Sequence, residues 1–150
     1  VEKVLVWNSF FYYKRRSIKL LIWWLQRMNK SKAKGTSFET AVKIYLSEHM
    51  PEISELIHRE TLHGSSDLGD ISGVKTIGKP GLKIAIECKN YGSHDCIPQW
   101  LREAEAEREN SGSDVGVVVS KRRGIGTKNM GEQLVSMTLD QFIRLIRGNV

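Results

Sequence analysis

From Gly35 onward, apolar and polar positions recur regularly enough to assign elements. Phe38, Ala41, Val42, Tyr45, Leu46 and His49 repeat at three- and four-residue spacing, which predicts a helix of about twelve to fourteen residues. Thr36 or Ser37 is its expected N-cap, and Pro51 lies beyond its end. The stretch Glu52 to Leu62 fits neither period cleanly, and a short strand is expected near Leu56 to Thr61. His63-Gly64-Ser65-Ser66-Asp67-Leu68-Gly69 reads as a loop, Asp70 to Val74 as a short strand, and Gly78 to Gly81 as a hairpin turn.

Leu82 to Cys88 is the next predicted strand, with Leu82, Ile84, Ile86 and Cys88 on one face and Lys83, Ala85, Glu87 and Lys89 on the other. Ile97 to Asn110 reads as a helix ended by Gly112, its buried side marked by Trp100, Leu101 and Ala104 and its acids and arginines turned outward. Val115 to Val119 is an unbroken apolar run, the pattern of a strand covered on both faces. Gln133 to Met137 is a last strand, and Thr138 caps a final helix through Arg147. The order helix, three strands, helix, two strands, helix implies an α/β fold in which helices flank a mixed sheet.

The first 34 residues differ from the rest. They hold seven of the twelve aromatics (Trp7, Phe10, Phe11, Tyr12, Tyr13, Trp23 and Trp24) and nine basic residues against only Glu2. Their longest apolar run, Leu20 to Leu25, is far short of the roughly 20 residues that span a bilayer. No small-residue cleavage site follows it, so neither a membrane span nor export is expected. Three readings of residues 1–27 stand: a basic amphipathic arm for membrane or DNA, a helix packed on the body, or sequence upstream of a start at Met28, with Asn29 to Lys34 then a flexible leader. The organisation expected is a basic, aromatic extension over 1–33 and one domain over 34–150.

The net charge of +6 suggests a nucleic-acid partner until it is located. Lys3, Lys14, Arg15, Arg16, Lys19, Arg27, Lys30, Lys32 and Lys34 supply the excess, which leaves the remainder with 14 basic and 16 acidic residues. Only a local patch of the body could hold DNA. An apolar fraction of 40% excludes wholesale disorder. Cys88 and Cys96 are too few for a disulfide scaffold and lack paired zinc spacing, which points to a reducing, intracellular setting, the cytoplasm.

Asp70 begins one strand of the hairpin, and Glu87-Cys88-Lys89 ends the other. Antiparallel pairing would bring the two carboxylates together, where they could hold a divalent cation, with waters and a substrate phosphate completing magnesium's octahedron. Lys89 shares a face with Glu87 and could orient or deprotonate a water, or stabilise phosphate charge. The plain alternative is a solvated strand face with a cross-strand ion pair.

Asp70 followed by Glu87-Cys88-Lys89 resembles the signature of the PD-(D/E)XK nuclease superfamily. Lys34-Gly35-Thr36-Ser37-Phe38-Glu39 at the first helix, with Ser65-Ser66 before Gly69-Asp70-Ile71, resembles its Holliday-junction resolvase branch. The resemblance spans roughly 34–147 and implies a restriction-endonuclease-like fold with an α-β-β-β-α-β core. It implies Asp70, Glu87 and the Cys88 carbonyl as ligands of Mg2+, with Mn2+ a possible substitute. It further implies Lys89 as the catalytic lysine and Glu39 reaching the metal directly or through water. Gly69 stands where the superfamily name expects proline, and Asp67 is a rival to Asp70 within the loop.

The implied activity is hydrolysis of phosphodiester bonds in branched DNA. Alternatives are a restriction-like or repair nuclease and a non-catalytic DNA-binding module of the same fold. Candidate DNA contacts are Lys32 and Lys34 before the first helix, Ser65 and Ser66 in the loop, and Lys121, Arg122 and Arg123 after the apolar strand. Glu103, Glu105, Glu107 and Glu109 are expected to face away from DNA. His63 is a loop residue, Gln99 a polar helix residue within possible reach of the site, and Cys96 and Trp100 packing residues. No segment resembles a base-reading element, so shape and backbone recognition is expected. The two symmetric cuts of a four-way junction call for a twofold homodimer.

Overall fold

The computed structural model describes residues 2–60, 69–78, 81–91 and 96–148, with side chains from residue 18 onward. The chain divides into two units, Val1–Lys34 and Gly35–Val150. Helix α1 has bounds Glu2–His49. Thr36 and Ser37 therefore cap nothing, because the helix is already running there and the Thr40 hydroxyl donates back to the Thr36 carbonyl at 2.8 Å. The expected start near residue 36 is corrected for a simple reason. Lys30, Lys32, Ala33 and Lys34 are good helix formers, and Gly35 alone costs a helix only about 1 kcal/mol. Asn29 to Lys34 is likewise helical rather than an irregular leader.

In the second unit the last turns of α1 lead into a 3-10 helix, Pro51–Leu56, and five strands: β1 (His58–Arg59), β2 (Ile71–Lys75), β3 (Lys83–Lys89), β4 (Val115–Ser120) and β5 (Leu134–Ser136). The strand expected over 56–61 is thus two residues long, its beginning taken by the 3-10 turn that Pro51 opens. Helix α2 (Ile97–Ser111) joins β3 to β4, a second 3-10 helix (Thr127–Glu132) precedes β5, and α3 (Leu139–Arg147) closes the chain. Gly112 ends α2 in the left-handed conformation, and the Thr138 hydroxyl accepts from the Gln141 amide, as the residue types predict.

The strands lie in sequence order in a single mixed sheet, antiparallel except where β3 and β4 run parallel across the α2 crossover. Ile84, Ile86 and Cys88 pack on the α1 side with Phe38, Val42, Ile57, Ile71, Val115 and Val117. On the opposite side Trp100 and Ala104 of α2 close over Val118. The sheet is therefore covered on both faces where β3 and β4 meet, which is why Val115–Val119 carries no polar face. β2 bulges between Ile71 and Val74, and Gly73 takes φ +76 at that bulge, where a Cβ would sit 1.6 Å from the Leu56 carbonyl oxygen. Only glycine lets β2 and the first 3-10 turn approach so closely.

β5 pairs with β4 only from Val118 onward, so the Gly116 amide has no strand partner on that edge. The Gln141 side chain takes the place of one: its Oε1 accepts from Gly116 N at 3.2 Å, and its Nε2 donates to Glu105 at 2.7 Å. α3 is anchored by this buried amide and by Leu145 against the core. Among the described residues no helix is long and apolar enough to cross a membrane.

Candidate functional site

The pairing of β2 with β3 brings Asp70 and Glu87 together. The Asp70 amide donates to the Ile86 carbonyl at 3.0 Å, its carbonyl accepts from Glu60 N at 2.9 Å, and its Oδ2 accepts from Cys88 N at 2.8 Å. The aspartate is thus fixed at its backbone and at one carboxylate oxygen. Gly69 precedes it with φ +92, a conformation closed to proline.

Burial pushes the Asp70 carboxyl up from 3.8 to about 7, with the neighbouring Glu87 charge next in effect and Glu39 adding to it; the Cys88 amide opposes them. Three carboxylates, from α1, from β3 and from Asp70, which lies just before β2 rather than opening it, therefore act on one another. Glu87 is 8% exposed, so the reading of its strand face as solvated is wrong: α2 covers it. The Cys88 thiol points into the α1-side core, and burial followed by the Asp70 and Glu87 charges raises it far above the thiol range. It is a packing group, neither thiolate nor nucleophile.

Lys89 is held between two acids. Its ammonium donates to Glu87 and lies 2.7 Å from Glu103 Oε2. Burial opposes the charge, but the hydrogen bonds Lys89 donates to Glu103 and Glu87 outweigh it and hold the amine above its ordinary value. Lys89 is accordingly an ammonium at neutral pH, suited to stabilising phosphate charge rather than to removing a proton. Glu103, expected to face away, instead reaches back to Lys89, and Gln99 Nε2 steadies its other oxygen at 2.8 Å. Glu107, also expected outside, is only 4% exposed. Both belong to the Trp100–Glu103–Ala104–Glu107 stripe, whose three- and four-residue spacing was the available signal that these acids face inward.

Glu39 Oε2 receives Arg59 Nη1 at 3.2 Å, an ion pair that the sequence did not suggest. Running through residue 39 without a start nearby, α1 offers Glu39 no N-terminal dipole. Lys121 follows directly from the end of β4: its amide donates to the Lys89 carbonyl at 2.9 Å, and Ser120 is in register with Lys89. The basic segment Lys121, Arg122 and Arg123 thus leaves the sheet beside the acidic pair. Arg122 and Arg123 are exposed, with Arg122 3.6 Å from Glu132. Lys32 and Lys34 are exposed residues of the first unit. His63, Ser65, Ser66 and Asp67 lie outside the described residues.

Among the described residues no three His, Cys, Asp or Glu side chains form a cluster ready to hold a metal ion. Asp70 is tied to Cys88 N, Glu87 to Lys89, and Glu39 to Arg59. The donor chemistry nonetheless suits magnesium, which is commonly bound by one or two carboxylates with waters and substrate phosphates as the remainder. Burial first and the Glu87 charge second raise Asp70, and a divalent cation beside it would offset both. No protein-family model, curated protein or solved structure matches the chain.

Proposed function

We propose that this chain is a magnesium-dependent endodeoxyribonuclease of restriction-endonuclease-like fold that cuts branched DNA, Holliday junctions above all, as a homodimer. The observation that carries the reading is the juxtaposition of Asp70 and Glu87 with Lys89 between Glu87 and Glu103, and with the Lys121–Arg123 segment leaving beside Lys89. A binding module has no use for acids that repel phosphate at the foot of a basic segment. The likeness of these residues to the resolvase branch supplies the choice of branched substrate.

In this reading Asp70, Glu87 and the Cys88 carbonyl hold the cation, with Glu39 reaching it directly or through water. Mg2+, or Mn2+ in its place, would supply Lewis acidity at the scissile phosphate and a nucleophilic water at neutral pH. The protein's own contribution is positional. Bonds at the Asp70 backbone and at Oδ2 fix that carboxylate before substrate arrives. Lys89 faces the phosphate as a fixed ammonium, and Glu103 holds it there so that its charge does not collapse wholly onto Glu87. Lys121, Arg122 and Arg123 neutralise flanking phosphates.

Cleavage of a labelled four-way junction, beside linear duplex and single strand of matched sequence, tests this with wild type and Glu87→Ala in magnesium. Symmetric cuts near the branch point that vanish in the variant support the proposal. Equal cutting of linear duplex would make this a restriction-like or repair nuclease instead. Metal-independent binding without any cut would leave only a DNA-binding module.

A further inference from the structure

Helix α3 docks on the sheet by one side only. Gln141 and Leu145 face inward, while Leu139, Phe142, Ile143 and Ile146 form a stripe at i, i+3, i+4 and i+7 on the outer side. Those four side chains are 73%, 47%, 44% and 66% exposed. Each leaves on the order of 100 Å2 open, so one copy offers roughly 400 Å2 of apolar surface, a patch of the size that marks interaction sites on monomers. Two such faces with their polar margins approach the ~1,000 Å2 at which a specific interface begins.

The charges beside the stripe indicate the occupant. Asp140 lies in the first turn of α3, Arg144 and Arg147 in the last, and all three fall on the same flank of the apolar residues. Asp140 and Arg144 pair within the helix at 3.0 Å, and Arg147 is exposed. When a second α3 packs on the stripe in the antiparallel direction, a twofold axis passes between Phe142 and Ile143 and keeps the charged flanks on one side. Asp140 of each copy then comes beside Arg147 of the other, and the helix dipoles oppose favourably. A parallel twofold would instead put the two charged flanks on opposite sides of the pair, where neither meets the charges of the other copy.

We propose that the outer face of α3 is the surface through which two copies of this chain pair, with the helices antiparallel. The pairing is read from α3 itself; its use, setting two active sites for paired cuts, rests on the nuclease reading above.

Analytical ultracentrifugation of the full chain over a concentration series is expected to give twice the 17.1 kDa chain mass. Phe142→Glu combined with Ile146→Glu should raise the dimer dissociation constant about a hundredfold or more, because each acid would be buried unpaired. Far-UV circular dichroism should not change, both positions being exposed. Should that variant unfold, the crosslink carries the test: Ile143→Cys in a Cys96→Ser background should form a disulfide-linked dimer on mild oxidation, and Leu139→Cys, one turn from the axis, much less. A wild-type monomer at tens of micromolar overturns the proposal. So does a dimer that survives both glutamates, or equal crosslinking at 139 and 143. The two readings fail separately, since mass reports the pairing alone. If both hold, the glutamate variant should nick one strand of a junction where wild type cuts two.

Discussion

Replacing Asp70 with asparagine should stabilise the metal-free protein at neutral and alkaline pH. Asparagine keeps a side-chain oxygen for the Cys88 amide, which now bonds Asp70 at 2.8 Å, and removes only the ionisable group. The Asp70 carboxyl lies at about 7 in the folded chain against an ordinary 3.8, through burial first and the Glu87 charge second. At about 1.4 kcal/mol per tenfold change, that displacement opposes ionisation by on the order of 4 kcal/mol. Below pH 3.8 the group is protonated whether the chain is folded or not, and its contribution to stability is fully present. As pH rises from there to about 7 the unfolded chain ionises first, so the contribution falls steadily and is gone above about 7. Urea unfolding followed by circular dichroism in EDTA, from pH 4 to 8.5, measures this directly. The wild-type free energy minus that of Asp70→Asn isolates the group from other carboxylates. The difference should decline by a few kcal/mol across the window, with the variant the more stable at pH 8. Saturating Mg2+ should then restore the wild type and leave the variant unchanged. A variant less stable than wild type at pH 8 in EDTA, or a pH-independent difference, would refute the argument that an uncompensated buried charge sits at Asp70.

Glu103→Gln removes one of the two carboxylates on Lys89 and should slow junction cleavage roughly tenfold at saturating substrate with little change in affinity, since the lysine then turns toward Glu87; single-turnover kinetics read both. Gly73→Ala should destabilise the fold by about 3 kcal/mol or more, because φ +76 and a Cβ 1.6 Å from the Leu56 carbonyl force β2 off the 3-10 turn; a urea midpoint near wild type would contradict the close approach. Lys121→Ala and Arg123→Ala should each lower the slope of log affinity against log salt for junction DNA by about one, with cation and metal unchanged. Arg122→Ala should lower it less, because that guanidinium already has Glu132 nearby.

Several elements of this protein are local facts of its sequence. The alternation from Leu82 to Lys89 places Ile84, Ile86 and Cys88 on one face and Glu87 with Lys89 on the other, and β3 is so arranged. Gly112 ends α2 and Thr138 starts α3 because a left-handed stop and a hydroxyl cap depend only on neighbouring residues. The juxtaposition of Asp70 with Glu87 also followed from order alone, since a hairpin brings its first and last residues together. Other features required the folded chain. No spacing marks where α1 begins when Lys30 to Lys34 favour helix as strongly as the turns after them. Arg59 meets Glu39 from an element twenty residues away. Gln141 substitutes for a strand on the edge of β4 only because β5 stops short.

The acids of α2 mark the division between the two. By composition the run of charges from Arg102 to Glu109 reads as a solvated face, since carboxylates are seldom buried without partners. The sequence by itself determined β2 to β5, α2 and α3, and that Asp70, Glu87 and Lys89 share one end of a hairpin. Only the tertiary structure decided that α2 crosses directly over Glu87 and Lys89, turning Glu103 into the second partner of the lysine and burying Glu107. The physical reason is that helix periodicity fixes which residues share a face, whereas the crossover from β3 to β4 fixes what that face meets.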